Sequence, residues 1–139
     1  MATFNKFNSF ITAVAAGTHA GFLNADTDVL KVYLSNTAPS ASLDLLKADL
    51  AEITNQNGYT APVDIQNAAT QTGTTITVTA VDVTITATGT VGPFQYAVIY
   101  NDTAASDPLV GWYDYGSAIT LANTETFKVD FGASFLTLG

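Results

Sequence analysis

The chain has 139 residues, the size of one domain with a single hydrophobic core, and its 47% hydrophobic against 12% charged residues exclude an intrinsically disordered protein. The formal net charge is −8, with only four lysines and no arginine. Too few basic side chains are present to neutralise nucleic-acid phosphates, which excludes nucleic acid as a partner. The absence of cysteine excludes disulfides and thiolate metal sites.

Aromatic residues recur at helical spacing near the N-terminus. Phe4, Phe7 and Phe10 fall on one stripe of a helix, which predicts an amphipathic helix over 4–16 that Gly17 ends. The apolar stretch is interrupted by polar residues and is well short of the roughly 20 residues that span a bilayer. We therefore expect neither a cleaved signal nor a membrane span.

The next two segments predict a strand and a second, shorter helix. The segment VLKVYLSN, residues 29–36, alternates apolar and polar side chains as a strand does. The segment SLDLLKADLAEI, residues 42–53, begins with a possible N-cap, Ser42, and has leucines at helical spacing. The leucines expected on its apolar face are Leu43, Leu46 and Leu50.

From residue 56 onward the pattern is that of strands. Thr and aliphatic residues alternate over 75–79 and again over 83–86, but the apolar positions change parity near Ala80. A one-residue change of parity moves the apolar set to the other face of a sheet, so a β-bulge or a turn must lie at about 80–82. Because no Gly, Pro or Asn marks a turn there, a bulge is favoured.

Residues 91–116 predict the central hairpin of the sheet. The Gly92-Pro93 step is expected to end the preceding segment, and 94–101 then reads as a strand that is apolar on both faces and hence central. Residues 102–108 predict a loop, and the returning strand is LVGWYDYG. Three short strands, SAITLA, TFKVDF and FLTL, follow. The fold class is therefore mainly β, a β-sandwich or jelly-roll-like single domain over 1–139, with an N-terminal helix and a second short helix.

Few residues suggest chemistry. His19, between two glycines, reads as a plain turn residue, and no G-x-S-x-G motif accompanies it. The two glutamates, Glu52 and Glu125, do not lie among aromatic residues as glycosidase carboxylates often would. Asp26 and Asp28 read as a turn, since the glycine and glutamate of an EF-hand loop are missing. We expect no catalytic residue and no cofactor.

Two alternatives remain open within the predicted hairpin. Asp102, Asp107 and Asp114 either converge on a hard cation such as Ca²⁺ or, as we favour for the first two, initiate turns. Tyr113 and Tyr115 lie on the opposite side of the strand from Trp112, so one side can be core and the other a sugar-stacking platform or an interface anchor.

The order of sequence blocks along nearly the whole chain resembles that of a family of small virion structural proteins of tailed bacteriophages. No single block is specific, and Gln95 stands where the family pattern often has arginine, which puts any charged contact there in doubt. The blocks are MATFNKFNSFITAVAAGTHAGF, DVLKVYLSNTAPSAS, DLAEITNQNGYTA, GPFQYAVIYNDT, PLVGWYDYGSAITL and ETFKVDF.

The resemblance implies a structural role without chemistry, and from size and composition we expect a capsid decoration (cement) protein. Its partners would be the major capsid protein and further copies of itself as a trimer or dimer, on the virion surface after a stage in the host cytoplasm. The helical segment 1–20 is the expected docking arm, and the expected interface residues are Phe4, Phe7, Phe10, Tyr113 and Tyr115. The alternative is a carbohydrate-binding or structural module of a head fibre, tail fibre or tail.

Overall fold

The computed structural model describes residues 2–22 and 27–139, and this part of the chain is mainly β, as the sequence predicts. One α-helix, α1, spans Asn8–Ala15, and single 3₁₀ turns lie at Ala20–Phe22 and Lys47–Asp49. The ten strands are β1 (Thr3–Lys6), β2 (Leu30–Ser35), β3 (Val63–Asp64), β4 (Ala68–Thr72), β5 (Thr75–Thr79), β6 (Val83–Thr86), β7 (Val91–Asn101), β8 (Leu109–Leu121), β9 (Thr126–Val129) and β10 (Leu136–Leu138).

The largest sheet has five strands in the order β1-β8-β7-β2-β3, with every described pair antiparallel. β7 and β8 form the long hairpin predicted for this region, and β7 lies in the middle of the sheet. All of its residues from Tyr96 to Asn101 are buried, because side chains on both of its faces meet other parts of the chain. The prediction of a central strand covered on both sides is confirmed.

The other described strands form two smaller sheets that share a hydrophobic core with the large sheet. They have the strand orders β10-β5-β4 and β6-β9. Aromatic side chains join the layers: the rings of Phe94 and Phe127 have centroids 4.9 Å apart, and those of Tyr113 and Phe131 are 5.9 Å apart. Layers of antiparallel strands packed through apolar faces make the single domain β-sandwich-like, in agreement with the predicted fold class.

The N-terminal helix begins later than its sequence pattern predicts. Residues 3–6 are strand β1, which pairs with β8 in the register Phe4↔Tyr113, and only Asn8–Ala15 are helical. Pairing with the edge of β8 overrides the local helical spacing, since isolated helices of this length are marginal in water. The helix ends as predicted: Gly17 has φ +81°, and the N–H groups of Gly17 and Thr18 donate to the carbonyls of Val14 and Ala13 in a Schellman motif.

The prediction of a second helix over 42–53 is wrong, because this segment forms only one 3₁₀ turn, at Lys47–Asp49. Asp44 and Asp49 accept hydrogen bonds from nearby backbone N–H groups, and the Leu45 carbonyl accepts one from Leu109 at 3.0 Å. These bonds compete with the helical pattern and hold the segment against the start of β8. The predicted leucine face does not form: the Leu43 side chain is 77% exposed, whereas Leu50 is 2% exposed.

The parity change near Ala80 is a transfer between sheets, and the favoured β-bulge is wrong. β5 pairs with β10 and β4, whereas β6 pairs with β9. Val81, between the two strands, is 54% exposed, while Val78 in β5 is fully buried. The apolar positions change parity because each strand faces the core from a different sheet.

Two further boundaries differ from the prediction. Gly92-Pro93 lies inside β7 at an irregular point of its pairing with β8, where the register shifts between Val91 and Phe94. The segment SAITLA continues β8 without a break, so LVGWYDYG and SAITL are one strand of 13 residues. Gly116 takes φ +85° within that strand, which an extended pattern does not predict.

Candidate functional site

The chain's only histidine is buried in a polar network that the sequence did not predict. The Nδ1 atom of His19 lies 2.9 Å from the amide nitrogen of Asn101, which also donates to the carboxylate of Asp28 at 3.1 Å. Asp28 in turn accepts a hydrogen bond from the backbone N–H of Gly21. The exposed fractions are 5% for His19, 0% for Asn101 and 7% for Asp28, so the network lies in the core.

Burial lowers the pKa of His19, and the negative charge of Asp28 opposes that change only in part. The imidazole therefore keeps its neutral form, which suits a structural hydrogen-bonding role. The network joins the end of α1 to the end of β7. His19 therefore makes a buried side-chain contact and is not the plain turn residue that the sequence predicts. Asp26, read with Asp28 as a turn, lies outside the described residues.

The three hairpin aspartates do not converge. The side chain of Asp102 pairs with Lys31 at 2.8 Å and accepts a hydrogen bond from the Tyr100 hydroxyl. The backbone carbonyl of Asp107 accepts a hydrogen bond from the backbone N–H of Lys47 at 2.9 Å. Asp114 lies five residues into β8 from the loop, about 17 Å along an extended strand. Within 2–22 and 27–139, no cluster of three metal-ligating side chains occurs.

Asp114 instead fixes an irregular point of the large sheet. It accepts hydrogen bonds from Gln95 at 3.0 Å and from the backbone N–H of Gly116 at 2.8 Å, and these bonds hold its pKa below the ordinary value. Gln95 is the residue that stands where the resembled family often has arginine. Here the contact at that position is a neutral amide with a carboxylate.

A second polar cluster fastens residues 44–59 to the large sheet. The Lys47 ammonium lies 5.1 and 5.5 Å from the ring centroids of Tyr33 and Tyr100 and 3.2 Å from a Glu52 oxygen. The Tyr59 hydroxyl donates to Glu52 at 3.3 Å and accepts from the Leu34 N–H at 2.8 Å. The cation–π contacts and the ion pair act together to hold this long irregular segment in place.

The other glutamate has a local role. Glu125 accepts a hydrogen bond from the N–H of Ala122 at 2.7 Å and so closes the turn between β8 and β9. Both glutamates therefore make structural contacts at separate places in the fold.

The phenylalanines expected to dock on a partner mostly serve the chain's own core. Phe7 and Phe10 are fully buried, and the Phe7 ring packs 4.6 Å from that of Trp112. Phe4 is half-buried and packs 5.4 Å from Tyr113 and 5.3 Å from Phe135. The N-terminal segment therefore packs on the chain's own sheet through these three rings.

The two hairpin tyrosines line an open depression of about 600 Å³. Its remaining walls come from the residue before β1, from β8, and from β9 with the residue that follows it: Ala2, Asp114, Gly116, Lys128 and Asp130. Tyr113 is 5% exposed, and its ring contacts those of Phe4 and Phe131, so little of its ring face is accessible to a ligand. Tyr115 is half-buried, with its ring 4.9 Å from that of Phe127.

The depression is electronegative. Burial, Asp130 and Asp82 together raise the pKa of Tyr113 to about 12, and burial, Tyr113 and Asp130 raise that of Tyr115. Lys128 lies between the two carboxylates, 3.2 Å from Asp82 and 4.0 Å from Asp130. Sequence reasoning found the tyrosines but missed Lys128 and Asp130, because only the packing of β9 beside β8 brings these distant residues together.

Comparison with known proteins found no matching family model, no matching curated protein and no matching solved structure. Among the described residues, no helix combines the length and apolar character needed to cross a bilayer.

Proposed function

We propose that this chain is a non-enzymatic structural protein of a phage virion, a capsid decoration (cement) protein that binds the major capsid protein and stabilises the head. The resemblance of its sequence blocks to small virion proteins is one support. The observation that carries the proposal is that the carboxylates and the histidine singled out from the sequence hold the scaffold together. Asp102, Asp114, Glu52 and His19 each have protein partners in a β-layered domain.

Exposed apolar side chains supply a contact surface for such a role. Leu43 and Leu45 are 77% and 49% exposed on the irregular segment after β2. The N–H of Asn8 donates to the Ala41 carbonyl at 2.9 Å, which places this segment beside the start of α1, where Ile11 is 49% exposed. Repeating one modest apolar contact over a shell gives strong total binding by multivalency.

The test is to locate and count the chain on purified virions. Electron microscopy with an antibody to this chain is expected to label the head surface, with on the order of hundreds of copies arranged about local symmetry axes. Size-exclusion chromatography with light scattering is expected to give a trimer or dimer of the isolated protein. Label confined to the tail or to a fibre would refute the decoration role.

A further inference from the structure

Strand β8 extends well beyond its outer neighbour. β1 pairs with β8 only from Gly111 to Asp114, whereas β8 continues to Leu121. Along residues 116–120 no strand of the described chain pairs with this outer edge, and all but one of these residues are exposed. The Gly116 N–H already donates to Asp114, but beyond it an unpaired edge presents backbone N–H and C=O groups to which another strand can add.

The electronegative depression opens at the same place. Ala2, just before β1, and Gly116, just past the last paired residue of β8, both line it. A Cβ atom built on Gly116 would meet nothing within 4 Å, so there is open space over the face of the sheet at this point. A strand added there would pass directly over the depression.

Tyr113, which lines the depression, has a hydroxyl without a protein partner among the described residues. The Tyr113 residue is 5% exposed, and within residues 2–22 and 27–139 its hydroxyl makes no hydrogen bond. A hydroxyl without a protein partner in that position is available to accept a hydrogen bond from a ligand. Because Phe4 and Phe131 cover the ring, the site offers poor stacking to a sugar.

The charges around this hydroxyl favour a cation. Asp82, Asp114 and Asp130 carry three negative charges against the single positive charge of Lys128, which leaves a local charge of −2. The chain as a whole carries −8, so a basic partner is attracted over a longer range as well.

We propose that an extended segment of a partner protein adds as a strand to residues 116–120 of β8 and places a lysine or arginine side chain in the depression. Asp114 and Asp130 pair with the cation, and the Tyr113 hydroxyl accepts a hydrogen bond from it. Backbone pairing supplies affinity, and the basic side chain supplies specificity. Only the identity of the partner, a segment of the major capsid protein, rests on the proposed function.

The test measures binding of the peptide acetyl-Thr-Val-Lys-Val-Thr-amide to the full chain by NMR titration at low salt. The same peptide with Gln in place of Lys is expected to bind about tenfold more weakly, the effect of about 1.4 kcal/mol of charge pairing. Asp130→Asn and Tyr113→Phe are each expected to weaken binding of the lysine peptide several-fold. The matched control Asp64→Asn, on the opposite edge of the sheet, is expected to leave binding unchanged.

Hydrogen exchange separates strand addition from simple ion pairing. Bound lysine peptide is expected to slow exchange of backbone amides within 116–120 and not those of the opposite edge strand β3. Equal affinity for the lysine and glutamine peptides, no measurable binding of either, or no added protection along β8 would overturn the proposal. So would a glycan that binds in the depression and is lost on Tyr113→Phe.

These outcomes are independent of the virion test. If the chain binds the lysine peptide but is confined to virion tails, this inference stands and the decoration role is refuted. If the chain covers the head but does not bind the peptide, only this inference is refuted.

Discussion

Asn101 is the residue whose removal tests the buried polar network most directly. Its side chain is fully buried and takes part in four contacts: with His19, with Asp28, and with the N–H groups of Thr103 and Ala104. Asn101→Ala removes all four and leaves the carboxylate of Asp28 and the imidazole of His19 with fewer partners in a buried site. We expect a large loss of stability.

The magnitude follows from the kinds of contact. Two bonds to partly buried backbone N–H groups contribute about 1 kcal/mol each and are partly replaced by water, while the bond to the Asp28 carboxylate contributes about 1.5–3 kcal/mol. Adding the contact with His19 and allowing for water, we expect Asn101→Ala to lower the free energy of unfolding by about 3–5 kcal/mol.

Urea unfolding followed by tryptophan fluorescence measures this change. With an m-value of about 1.5 kcal/mol/M, the midpoint is expected to fall by roughly 2–3 M. Asn55→Ala is the matched control, because the Asn55 side chain also bonds to backbone atoms but is exposed, and its cost is expected to stay below about 1 kcal/mol. A loss below 1 kcal/mol for Asn101→Ala would refute the view that this network holds α1 to β7.

Three further predictions concern other parts of the fold. Because burial lowers the pKa of His19, the unfolded chain takes up a proton near pH 6.5, before the folded chain does. The free energy of unfolding is therefore expected to decrease as pH falls from about 6.5 to 5, by at most about 1.4 kcal/mol per pH unit. Urea midpoints across this range check it, and the slope should flatten in His19→Gln; an unchanged slope contradicts the assignment. Lys47→Met and Glu52→Gln are expected to show a coupling energy of about 1 kcal/mol in a double-mutant cycle, and additive effects would mean that their 3.2 Å contact contributes nothing. Gly111→Ala is expected to lower the free energy of unfolding by about 3 kcal/mol and to expose β1 to hydrogen exchange, because the added Cβ would overlap the Phe4 ring and the Asn5 carbonyl. Gly116→Ala has free space around it and is expected to lower the free energy of unfolding by only about 1–2 kcal/mol, because Gly116 has a positive φ. Equal costs for the two glycine variants would argue against close packing of β1 on β8.

Part of the candidate site was predictable from the hairpin alone. The alternation of residues 109–115 placed Tyr113 and Tyr115 on one side of a strand, and both line the depression. The pattern could not say that Phe4 and Phe131 cover the ring of Tyr113, nor that Lys128 and Asp130 lie beside it. Those contacts come from β1 and β9, whose positions depend on sheet pairing between distant segments.

The sequence by itself determined the β class, the central hairpin and the end of α1 at Gly17. Each of these depends on local properties: the alternation of Thr and aliphatic residues, a strand apolar on both faces, and a glycine free to take a positive φ. The tertiary structure decided the conversion of residues 3–6 to a strand, the loss of the helix predicted over 42–53 and the transfer between sheets near Ala80. In each case a backbone hydrogen bond or a buried face supplied by a distant segment outweighed a local preference worth a few tenths of a kcal/mol per residue.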